Sequence, residues 1–115
     1  MVSTDAAFEQ ILENIEPVLV QKGFSVVKAK SHPEAFGSRY ATFSDEKKFI
    51  RLIWDGKEYR FVLESVSIEL AETFGDWTDI LLQRFDFRNE GKEVVFKIAN
   101  QIKDALSDYL EKCSD

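Results

Sequence analysis

Residues 47–64 carry two apolar runs, 49–54 and 59–63, on either side of an Asp55-Gly56 pair. Such a pair between alternating runs signals a β-hairpin closed by a two-residue loop. That loop sets Trp54 opposite Lys57, Leu52 opposite Tyr59, Ile50 opposite Phe61 and Lys48 opposite Leu63. Side chains alternate faces along a strand. Ile50, Leu52 and Trp54 therefore share one face with Tyr59, Phe61 and Leu63, and this face is predicted to be the core side of a sheet. The outward face sets Arg51 against Arg60 and Phe49 against Val62. Facing like charges destabilise a sheet. Either Glu58 and Glu64 neutralise them, or the arginines, with Phe49, Ile53 and Val62, wait for an acidic or aromatic partner.

The flanking patterns predict the rest. Phe8, Ile11, Leu12, Ile15, Val18 and Leu19 recur at helical spacing behind the N-cap oxygens of Ser3, Thr4 and Asp5, and Gly23 supplies the stop. Pro17 interrupts this helix without disturbing the phase of its stripe, which predicts a kink near Asn14. Residues 24–30 and 37–44 read as strands around a turn at 31–34 that contains His32 and Pro33. Beyond Leu63 the apolar positions change from odd to even (Val66, Ile68, Leu70), so either a bulge near Glu64 and Ser65 restores the phase or the strand ends there. Trp77, Ile80, Leu81 and Phe85 follow the acids Asp76 and Asp79 at helical spacing, and predict a helix over 76–87; a strand over 81–87 is the alternative. Residues 90–112 carry the most continuous helical stripe, from Val94 to Leu110, with Asn89 as its cap. The order predicts one α+β domain spanning 1–115: a four-strand antiparallel meander with N-terminal and C-terminal helices on one face.

Composition narrows the function classes. The chain has 115 residues, 44% of them hydrophobic, with ten Phe and two Trp. That is enough for one aromatic-rich core and too little for two domains. The net charge of −6 disfavours nucleic acid, whose phosphates need a basic footprint. No apolar run approaches the roughly 18 residues of a membrane span. The opening residues lack the basic and apolar regions of a signal peptide. A cytoplasmic location is expected.

The candidate chemistry is sparse. The single cysteine, Cys113, excludes an internal disulfide framework. The single histidine, His32, stands on a turn, and no nucleophile elbow accompanies it. One His and one distal Cys make no soft metal site. Asp55 and Glu64 loosely echo a nuclease arrangement, but Val66 stands where its lysine belongs. No phosphate-binding glycine loop or calcium loop occurs. Neither catalysis, a cofactor nor a metal is expected. What stands out is the stretch 69–79, which combines four carboxylates with two large rings. Glu69, Glu72, Asp76 and Asp79 would steer a basic protein partner, and Phe74 or Trp77 would bury as an anchor unless it folds into the core. Arg51 and Arg60 form a second candidate surface. The expected role is a protein-binding module of immunity or inhibitor type. The alternatives are a dimeric secretion-chaperone-like protein holding an extended segment and a small-ligand-binding protein. The sequence leaves the oligomeric state open.

Overall fold

The computed structural model describes residues 3–34, 36–67 and 77–113. The chain runs α1 (Thr4–Gln21), β1 (Ser25–His32), β2 (Ser38–Ser44), β3 (Lys48–Asp55), β4 (Arg60–Ser67), β5 (Thr78–Arg84) and α2 (Lys92–Cys113). The strands form one antiparallel sheet in the order β1-β2-β3-β4-β5. The fold is α+β as expected, with five strands where four were predicted. No helix among the described residues is long and apolar enough to cross a membrane.

Local chemistry sets the ends of α1. The Ser3 hydroxyl accepts from the Ala6 amide at 3.0 Å. At the other end Gly23 takes a φ of +87°, the left-handed region that a glycine enters at little cost. The Gly23 and Phe24 amides then donate to Val20 and Leu19 at 3.0 and 2.9 Å, a Schellman closure that also seats Phe24 in the core. The helix runs unbroken through Pro17, which is exposed. The hydrogen bond that a proline forfeits to the carbonyl of Glu13 is lost on the solvent side, where water can replace it. At α2 the cap differs from expectation. The Gly91 carbonyl accepts from Val94 and Val95, while Asn89 instead donates to Asp86 at 2.7 Å. That bond, with the Arg88 amide and guanidinium, holds the Asp86 carboxyl below the usual carboxylate range.

The core lies between both helices and one face of the sheet. Ile50, Leu52, Trp54, Phe61 and Leu63 are fully buried there with Phe8, Ile11, Ile98 and Ile102. The predicted face is thus observed, but its register is not. Asp55 pairs with Arg60, Trp54 with Phe61 and Leu52 with Leu63, so the turn comprises Gly56–Tyr59. Asp55 explains this: its carboxylate accepts from the Lys57 and Glu58 amides, at 3.1 and 3.2 Å, and Tyr59 completes the turn at a φ of 53°. An aspartate that caps a longer turn in this way does not enter a two-residue loop. Each partner moves by four positions, an even number, so every face assignment survives. Tyr59 alone leaves the ladder, and its ring meets Phe87 edge-on at 5.4 Å.

Two further expectations fail for a common reason. β4 does not change phase: it pairs continuously with β3, and Ser65 simply occupies a core-face position, where its hydroxyl accepts from Tyr109 at 2.9 Å. The irregularity lies in β5, where Leu63 faces Leu81 but Glu64 faces Asp79, leaving Ile80 as the extra residue. Because of this bulge the consecutive Ile80 and Leu81 both pack against the core. That doubling imitates a helical stripe and explains why residues 76–87 read as a helix.

Leu52→Ala and Phe61→Ala are each expected to cost about 2–5 kcal/mol through the cavity left behind, read by urea denaturation. Gly56→Ala should also destabilise. A Cβ there would lie 1.9 Å from the Phe36 carbonyl oxygen, so two turns would have to separate, at about 1–3 kcal/mol in the same measurement.

Candidate interaction site on the open sheet face

The sheet's other face carries neither helix. Its side chains form rows across the strands, because residues paired in register share a face. One row runs Lys30, Tyr40, Ile53, Val62 and Leu82; the next runs Lys28, Thr42, Arg51, Glu64 and Asp79. The second row passes from basic at the β1 edge to acidic at the β5 edge.

Arg51 is its centre. The predicted Arg51–Arg60 pair does not occur, since the longer turn sets Glu64 opposite Arg51 and Asp55 opposite Arg60. The Arg51 Nε and a terminal nitrogen both donate to one oxygen of Glu64. Glu64 is buried, and a carboxylate out of water needs such a partner. Arg60 binds Asp55 at 3.3 Å, two rows from Arg51.

Trp77 caps this centre. Its indole lies over the Arg51 guanidinium, 3.9 Å from ring centroid to carbon, and 6.3 Å from the Phe49 ring. A guanidinium over an indole face gains about 0.5–2 kcal/mol from the ring's quadrupole. The Tyr40 ring centroid stands 5.7 Å from the same carbon. Thr42 is short and sits between Lys28 and Arg51. The gap above it is a groove of about 370 Å³, walled by Tyr40, Phe49 and Trp77 and rimmed by Val27 and Lys28.

The structure therefore joins parts of both predicted surfaces. Arg51 and Trp77 meet directly, and exposed Asp79 follows Trp77 at the start of β5. Arg60 stands apart. Glu69, Glu72, Phe74 and Asp76 lie outside the described residues. Sequence reasoning missed Lys28, Tyr40 and Thr42. Their signal was the alternation in β2, where apolar Ala41 and Phe43 face the core and leave Tyr40 and Thr42 outside. His32 ends β1, stacked 6.0 Å from Tyr40 and 3.1 Å from a Glu34 oxygen. The Cys113 side chain is not among those described. The groove's guanidinium is already paired, and its rings and hydroxyls are the groups left to meet a ligand or partner.

The two tryptophans should differ in solution, because Trp54 is 1% exposed and Trp77 is half-buried on the open face. Acrylamide is expected to quench a distinct part of the emission, and Trp77→Phe should remove that part and leave a protected signal.

Comparison with protein-family models, with curated proteins and with solved structures finds no match to this chain.

Proposed function

We propose that the protein is a non-enzymatic protein-binding module of immunity or inhibitor type, which offers an acidic surface to a basic protein partner. The observation that carries this reading is the position of Trp77. The ring lies outside the core, half-buried, with its centroid 3.9 Å from the carbon of a paired guanidinium. Interface cores favour such anchors, because a large rigid ring gives contact area at little entropic cost. Around it the charge is acidic on the β5 side. Asp79 is exposed, and Glu69, Glu72 and Asp76 precede Trp77 in the sequence. With a net charge of −6, long-range attraction would accelerate encounter with a basic protein.

The mechanism separates into two steps with different signatures. Exposed carboxylates act on association and lose their effect in salt, whereas a buried anchor acts on dissociation. Affinity capture from the source cell, with wild type and Trp77→Ala side by side, tests the reading. A basic protein should be retained by the wild type and weakened by the variant by about 1–3 kcal/mol. Asp79→Lys should slow association more at low than at high ionic strength in surface plasmon resonance. Capture that is indifferent to both substitutions would count against the reading.

A further inference from the structure

The opposite edge of the sheet has its own chemistry. β1 has eight residues, of which only His32 is even half-buried, so neither helix covers it. Val26 and Val27 are 59% and 55% exposed. Among the described residues, no strand pairs with the outer side of β1. A row of unpaired amides and carbonyls on an edge is a template for one more strand.

The side chains specify which strand. Lys28 pairs with Thr42 and Lys30 with Tyr40, so both lysines stand on the open face. No ion-pair partner for either occurs among the described residues. In an antiparallel two-fold pairing of β1 with a second copy, residues of one face meet residues of the same face. At the central registers Lys28 and Lys30 would then meet each other or themselves, and like charges directly opposite repel. A second copy is disfavoured by this arithmetic. An added strand with carboxylates at alternate positions is favoured by it. Its intervening residues would fall on the side of Val26 and Ala29, where small apolar groups suit. The geometry points to β1 as a docking edge for an extended acidic segment of another protein, with carboxylates at i and i+2, bound by strand addition. The bulge at Val27 limits the ladder to the stretch from Lys28 onward. This edge adjoins the Trp77 groove, which Lys28 rims, but the strand addition does not depend on the reading of that groove.

The test uses two synthetic peptides of the length of β1, one alternating glutamate with valine and one alternating lysine with valine. Amide hydrogen exchange of the intact protein is followed by NMR. The acidic peptide is expected to protect amides of β1, and the basic one is not. A form of the acidic peptide with N-methylated backbone should lose the effect. The double substitution Lys28→Glu with Lys30→Glu should weaken the acidic peptide about tenfold and let the basic one bind. Equal behaviour of the two peptides, or no protection at millimolar peptide, would overturn the proposal and leave the lysines as guards against edge-to-edge aggregation. Protection of β1 that grows with protein concentration alone would overturn it in favour of a second copy.

Discussion

Burial of one face of the β3–β4 hairpin is the constraint on which the rest of the molecule depends. Trp54 lies 4.7 Å from Phe61 and meets Phe85 edge-on at 6.1 Å, centroid to centroid. Phe85 leaves β5 and Phe87 follows it, so this cluster binds the last strand to the hairpin before α2 begins. Each large ring buries about 150–250 Å², and the two helices are the lid that makes such burial complete. Arg39 fixes one lid. It spans Asp5 and Glu9 of α1, at 3.2 and 2.7 Å, with its guanidinium 4.5 Å above the Phe8 ring. Tyr109 fixes the other through Ser65, a polar residue on the core face that would otherwise be an unsatisfied hydroxyl.

On the face away from α1 and α2, charges are satisfied laterally between neighbouring strands. Glu64 is buried on the face opposite α1 and α2, and Arg51 supplies the compensating charge from the neighbouring strand. Trp77 then closes over that ion pair from the connection before β5. The result is an ordered patch in which a charge is already neutralised and a ring is left partly in solvent. It also grades the face from lysines at β1 to a carboxylate at β5. Along that row the two ends of the sheet carry opposite sign.

Much of this was legible from local chemistry. The Ser3 cap, the Gly23 stop, the two amphipathic helices and the alternating core face of β3 all follow from residue type and period, which are properties of neighbours in the chain. The face assignment of the hairpin survived an incorrect register because strand faces depend only on parity. The opposition of Arg51 to Arg60 did not survive, because it depends on the length of the turn. That length follows from how the Asp55 carboxylate bonds its following amides.

The same division applies to the candidate site. The sequence by itself singled out Arg51 and Trp77 as unusual residues, in two separate proposals. Only the folded sheet stacked one on the other, since they are distant in the chain and meet through pairing between β3, β4 and β5. It also decided that Ile80 and Leu81 belong to a bulged strand, where local spacing pointed to a helix. Periodicity reports which residues seek burial. Which element buries them is set by the strand next door, whose backbone groups need partners that a short helix there would have left unmet.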